Sequence, residues 1–264
     1  LVLCLFFALG AALRILMIGK TDLIDDEAFY VTFAYKIAYF LLHNLLFFTV
    51  IVIALIAVIY LLAVKRSLIF AVLLLIVLPS AQFLLHLPSL AGDINPGFIL
   101  AVSGLLAFTW LLLQPAVAGV LVSIIASMLS CILAFLTCRK IFNENAGIIA
   151  FILLAVSPFG VFASSLALPN ALAVFLAFLS FYLLMKSAND NGNYFPLAGI
   201  VFMLAFLTRY TVLLLLPLFL IYIFLKREFV LKKENRKNFL IFLLIIAAVL
   251  LMQSQFIFAR FFAF

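Results

Sequence analysis

Charge is what this sequence has least of. Of its 264 residues only 9% are charged, and it holds nine acidic residues, two histidines, three cysteines and one tryptophan. Soluble domains carry roughly a quarter charged residues and about half apolar ones. At 70% hydrophobic, this chain is built for a solvent other than water. The two histidines, His43 and His86, lack ligand-like spacing and give a dedicated zinc site no support. Cys4, Cys131 and Cys138 all lie in apolar stretches. On one helix, Cys131 and Cys138 stand roughly 10 Å apart, beyond disulfide reach. They read as small apolar residues and imply no redox compartment. There is no Gly-rich nucleotide loop, CxxC pair or Ser-His-Asp arrangement, so nucleotide-driven transport on this chain is disfavoured.

What the sequence has instead is 32 phenylalanines and long apolar runs that do not alternate in polarity. In hydrocarbon every backbone N–H and C=O must be satisfied within the element, which leaves helices or closed barrels. Unalternating runs of about twenty residues select helices. The fold class is therefore all-α, a polytopic membrane bundle. Apolar segments fall at 1–19, 44–64, 68–87, 98–113, 116–137, 146–162, 168–185, 195–225 and 238–258. They give about eight to ten spans or half-spans. A cleavable signal peptide is not evident, because Arg14 sits inside the first segment rather than before it. The chain opens on Leu1 and closes shortly after Arg260, which is compatible with a piece of a longer polypeptide.

The polar punctuation fixes a topology. If every segment except 98–113 spans, eleven basic residues share one side: Lys65-Arg66, Arg139-Lys140, Lys186 and the six between Lys226 and Lys237. That side is cytoplasmic by the positive-inside rule, and the net charge of +7 reflects these loops rather than a nucleic-acid partner. The scheme requires 195–225, too long for one untilted span, to turn over near Thr208-Arg209-Tyr210. It also makes 98–113, broken by Asn95-Pro96-Gly97 and Gln114-Pro115, an interfacial or re-entrant helix. The chain then forms one transmembrane domain over 1–264, with an outer acidic loop and interfacial helix at 20–43. A basic loop at 226–237 faces lipid headgroups.

The outer face gathers the candidate chemistry. Asp25, Asp26 and Glu27 follow the first span. At the bilayer centre each charge would cost about 2.5–3.5 kcal/mol, so the trio belongs at the interface or in a wet cavity. Adjacent like charges raise one another's pKa, which suits a general base or a divalent-cation site, and a solvated helix-ending loop fits equally. Ala28 to Leu42 carries Tyr30, Tyr35, Lys36 and Tyr39 among apolar residues, the pattern of an interfacial helix or an ordinary aromatic belt. His86 and Asp93 fall in a turn-rich stretch, where His86 reads as a helix-end hydrogen-bonder. Arg209, next to Tyr210 between two short apolar runs, is the most informative residue. It is placed to hold a phosphate, or to pair with an outer acid or snorkel to the interface. Asn170, after Pro169 at the outer start of a span, is a further polar candidate.

The motifs occur in a telling order. Asp26-Glu27-Ala28-Phe29-Tyr30 follows the first span, and Asn95-Pro96-Gly97 opens a short apolar helix. A span then ends in Cys138-Arg-Lys-Ile-Phe-Asn-Glu-Asn-Ala-Gly147. Ser157-Pro158, Leu168-Pro169-Asn170 and Leu207-Thr-Arg-Tyr-Thr before Leu216-Pro217 complete the series. Across most of 1–225 this resembles the GT-C membrane glycosyltransferases, closest to the protein O-mannosyltransferase and aminoarabinose-transferase-like enzymes that use polyprenyl-phosphate sugars. The resemblance implies an inverting transfer on the outer face of a plasma or ER-type membrane, to a protein, lipid or glycan hydroxyl. Asp26 would be the catalytic carboxylate with Glu27 beside it. Arg209 would match the basic residue near the lipid phosphate. Asp25, Asp93, Asn170, Tyr210 and Tyr30 would line the substrates, and a divalent cation at the acids is compatible with this.

The sequence departs from the family by two additional apolar segments, 44–64 and 68–87, and by Asn170 where relatives often carry an acid. It also ends where relatives usually continue. A carrier or channel with an acidic vestibule, built on the helix breaks at 95–97 and 208–210, is the alternative reading, along with a non-catalytic membrane subunit.

Overall fold

A computed structural model describes residues 2–17, 25–43, 96–109, 112–189, 192–230 and 232–252, and among these every regular element is helical. The expected segments 44–64 and 68–87, with His86 and Asp93, lie outside the described residues. The helices are α1 (Val2–Leu16), α2 (Asp25–His43), α3 (Pro96–Phe108), α4 (Pro115–Ile141), α5 (Glu144–Val156) and α6 (Pro158–Ser164). Then follow α7 (Pro169–Asn189), α8 (Phe195–Thr208), a 3-10 turn over Tyr210–Leu215, α9 (Leu216–Leu225), α10 (Arg227–Val230) and α11 (Lys233–Met252). Among the described residues two helices, α4 and α7, are long and apolar enough to cross a membrane, and the bent pair α5–α6 makes a third if it counts as one span.

Prolines set several of these starts. Pro115 and Pro158 each occupy the first turn of a helix, where a missing N–H costs nothing and φ is preset. Asn143 caps α5 by accepting from Ala146 N at 2.8 Å, turning the chain back within two residues of the end of α4. Gly192, at φ 66°, supplies the left-handed residue that the α7–α8 turn needs. The sequence places a helix over Ala28–Leu42, but α2 begins at Asp25. Carboxylates in a first turn offset the positive end of the helix dipole, so the acidic trio starts the helix instead of preceding it. The apolar run 146–162, expected as one span, is broken, with a 56° bend between α5 and α6.

Lipid tails are as apolar as leucine, so helices in a membrane associate through close packing rather than water exclusion. Small residues on one face of α7 (Ala173, Ala177, Ser180, Ala188) and on α8 (Ala198, Ala205) are buried, and Ser180 Oγ donates to Ala198 O at 2.7 Å. Phe202 of α8 meets Phe219 of α9 edge to face, ring centroids 5.0 Å apart. Two residues seventeen apart in sequence touch this way only if the chain reverses between them, at Arg209. The turnover expected within 195–225 is therefore present. Phe195 packs on Phe239 and Phe242 of α11, which returns alongside α8.

The bundle consequently has two distinct ends. One carries Arg139, Lys140, Lys186 and the 226–237 loop, nine of the eleven basic loop residues expected on one side. The other carries Gln114-Pro115, Leu168-Pro169-Asn170 and Thr208-Arg209-Tyr210. Helices α2 and α3 pack together against the beginnings of α4 and α7, at Ala118, Leu168 and Leu172, on this second end. Gly119 makes that crossing possible. A Cβ there would lie 2.7 Å from Ala167 Cβ and 3.1 Å from Val31 Cγ2. Replacing Gly119 by Val should overpack this junction and lower stability by about 1–3 kcal/mol. Gly104→Ala, where an added Cβ meets nothing within 4 Å, should leave stability unchanged or raise it slightly. Thermal unfolding in detergent checks both, and equal midpoints for Gly119→Val and the parent chain would contradict the packing.

Candidate functional site

The end opposite the basic loops holds most of the residues singled out from sequence. Thr208, fully buried, closes α8 by donating its hydroxyl to Leu204 O at 2.8 Å. Arg209 is the residue after it, in extended backbone (φ −156°, ψ 119°), its N–H bonded to Ala205 O at 2.9 Å. That geometry turns its side chain out of the helix and leaves it partly exposed. Its guanidinium makes no hydrogen bond or ion pair among the described residues. Five N–H donors therefore stand available at a helix reversal. Tyr210 follows directly, half-exposed, as the first residue of the 3-10 turn.

Asn170 lies in the first turn of α7, and its Oδ1 is buried without a hydrogen-bond partner among the described residues. Ser123 Oγ of α4 donates to Leu168 O at 3.1 Å, which ties the segment leading into Asn170 to the neighbouring helix. Tyr30 is buried, its ring edge-to-face with Phe98 of α3 at 6.0 Å between centroids. It holds α2 on α3 and so takes part in packing. The backbone of Asp25, Asp26 and Glu27 forms the first turn of α2, while their side chains and Asp93 lie outside what is described. Among the described residues no three His, Cys, Asp or Glu side chains converge as metal ligands would. Tyr35 and Tyr39 are exposed, their rings stacked at 6.5 Å, while Ala34 and Ala38 are buried.

The residue that sequence reading undervalued is Arg14. It is fully buried in α1, and all its contacts are to neutral acceptors. Nη1 donates to Gly10 O (2.9 Å) and Ala155 O (2.8 Å), and Nη2 to Ser127 Oγ (3.0 Å) and Leu154 O (3.4 Å). Nε donates to Ser127 Oγ at 3.2 Å. Leu154 and Ala155 are the carbonyls orphaned by the bend. In an unbroken helix Leu154 would accept from residue 158, which is a proline, and Ala155 from residue 159, which lies beyond the bend. The guanidinium replaces those missing donors and sits where a helix C-terminus favours positive charge. Gly10 permits the approach, since a Cβ there would lie 2.9 Å from Ala155 O. The signal in sequence was the charge itself, because an ionisable residue within an apolar run demands a partner. That partner lies 140 residues away and no local pattern reveals it.

Apolar helices of this length, cationic loops gathered at one end among the described residues and a buried arginine satisfied by helix carbonyls define an integral membrane protein. A family model, dolichyl-phosphate-mannose-protein mannosyltransferase, matches residues 105–253, more than half of the chain. The chain belongs to this family of membrane glycosyltransferases of the GT-C type. Neither the curated proteins nor the solved structures compared with it give a match. The matched region contains the span from α4 to α8, Asn170 and Arg209, while α1 and α2 precede it.

Arg14→Met should orphan two buried carbonyls at about 1–3 kcal/mol each, lowering stability by roughly 2–6 kcal/mol. Arg14→Lys, which keeps three donors, should lose less. Unfolding midpoints in detergent decide the point, and a midpoint unmoved by Arg14→Met would contradict the bridging role.

Proposed function

We propose that this chain moves a hexose from a polyprenyl (dolichyl or undecaprenyl) phosphate to an acceptor hydroxyl, with inversion, on the non-cytoplasmic face. The observation that carries this reading is Arg209: a guanidinium without a partner among the described residues, at a helix reversal, on the end away from the basic loops, in a chain of the mannosyltransferase family. The basic end is cytoplasmic by the positive-inside rule, which makes the Arg209 end the outer one. A guanidinium binds a phosphate with two parallel charge-assisted hydrogen bonds, and the donor named in the family's description carries one.

In this scheme the lipid tail lies among the spans and its phosphate meets Arg209, with Tyr210 beside it. Asp26 takes the proton of the acceptor hydroxyl. The acceptor oxygen bonds to the anomeric carbon from the face opposite the phosphate. The bond from that carbon to the phosphate oxygen breaks, and its electron pair leaves with the lipid phosphate, where Arg209 offsets the developing charge. Asp25, Asp93 and Asn170 orient the acceptor, and a divalent cation at the acids would serve the same end. Asn170 Oδ1, buried and unpartnered, has an acceptor position to offer a sugar or peptide donor. Tyr30 acts indirectly, by fixing α2 on α3 and with it the first turn that carries Asp26.

The test follows labelled hexose from a polyprenyl-phosphate donor in a detergent-purified preparation. Asp26→Asn should lower turnover by about 10²–10⁴ without weakening donor binding. Arg209→Ala should cost about 10²–10³ and weaken binding of polyprenyl phosphate as well. Full turnover in Asp26→Asn would remove the base assignment, and unchanged donor binding in Arg209→Ala would remove the phosphate site.

A further inference from the structure

The turn at the opposite end of the bundle is more than the consequence of a topology rule. The end of α9, the short helix α10 and the start of α11 form one corner, with α10 packed on α11 and against the end of α7. Lys226, Arg227, Arg236 and Lys237 are all exposed there, and none makes an ion pair among the described residues. Arg236 and Lys237 stand in the opening turns of α11, where the positive end of the helix dipole adds to their charge instead of opposing it. Directly below the cations the surface turns apolar. Leu220, Phe224 and Leu225 on α9 and Leu240 and Leu244 on α11 are exposed. The Arg227 guanidinium lies 5.2 Å over the Phe224 ring, so one side chain spans the boundary between the two zones.

We propose that this corner is a binding surface for anionic phospholipid, its cations on the headgroup phosphates and its apolar flank along the acyl chains. Charge complementarity carries the assignment. Four exposed cations without an ion pair among the described residues, against one exposed acid on the same corner, Glu228, leave an excess of positive charge for an anionic neighbour to meet. The adjoining lipid-facing rim selects one that comes with hydrocarbon tails, rather than a nucleic acid or an acidic protein. The surface is independent of the transfer reaction and lies at the other end of the bundle from Arg209.

The experiment reconstitutes the full chain in phosphatidylcholine vesicles containing a minority of phosphatidylglycerol. Polymer discs are then excised, and the ratio of the two lipids around the protein is compared with the bulk. The parent chain should enrich phosphatidylglycerol by about twofold or more at low salt, and less at high salt. Arg227→Gln with Arg236→Gln should return the ratio to that of the bulk, and the Lys pair at the same positions should keep the enrichment. Arg139→Gln with Lys140→Gln, equal in charge loss and at the same end but on α4, should also keep it. Unfolding midpoints establish that each variant is folded. No enrichment in the parent chain would overturn the proposal. So would equal loss from the α4 pair, because net charge and not this corner would then be responsible.

Discussion

A single guanidinium joins positions 140 and 141 residues apart in the chain. Arg14 reaches from α1 to a hydroxyl on α4 and to the two carbonyls left open where α5 bends into α6. A charge buried in a membrane protein normally needs a countercharge or water. Here the low dielectric makes carbonyl dipoles and a hydroxyl sufficient, since each hydrogen bond is stronger than it would be in water and every donor is used. The proline that opens the bend and the arginine that satisfies it depend on each other. Without Pro158 there would be no free carbonyls for Arg14, and without Arg14 the bend would leave buried acceptors unpaired. The bend sets the direction of α6, and α6 leads within a few residues into the Ala167 crossing on Gly119 and the Asn170 turn.

Two other arginine environments complete a consistent picture of charge in this chain. Arg14 is saturated and structural. Arg227 sits at the rim of the basic end, over the Phe224 ring and beside exposed leucines. Arg209 stands at the other end with its donors unused among the described residues. The three settings correspond to one observed task and two proposed ones: Arg14 closes a helix break, while the basic corner is proposed to face headgroups and Arg209 to meet a substrate's phosphate. The last belongs with the dolichyl-phosphate-mannose-protein mannosyltransferase family to which the chain belongs, because a lipid phosphate leaves in the reaction its name describes.

Much of this was readable in the sequence, where local chemistry decides the outcome. Gln114-Pro115 and Pro169 mark helix starts, Thr208-Arg209-Tyr210 marks the reversal, and the basic residues mark one end, because proline geometry, a charge between two short runs and loop composition are local signals. The α5–α6 break carried a local hint in Ser157-Pro158, yet hydrophobic length outweighed it, since run length counts apolar residues and ignores where one N–H is missing. Arg14 was visible as a charge in a span, but its acceptors come from helices far along the chain. Asn170 was legible as a polar residue at a helix start. That its Oδ1 is buried without a partner is a property of the packing around it. Tyr30 was read as a substrate contact or interfacial ring, and its burial against Phe98 follows from an α2–α3 pairing that no spacing announces.

The central claim is that the lipid phosphate of the donor docks at the Arg209 reversal and not at the basic end. Photocrosslinking places it most directly, using a polyprenyl phosphate that carries a photoreactive group next to its phosphate, followed by peptide mapping of the crosslinked chain. The account predicts adducts on the peptide that contains Thr208, Arg209 and Tyr210, competed away by unlabelled polyprenyl phosphate. Adducts confined to the 226–237 loop, with the Arg209 peptide unmodified, would contradict it.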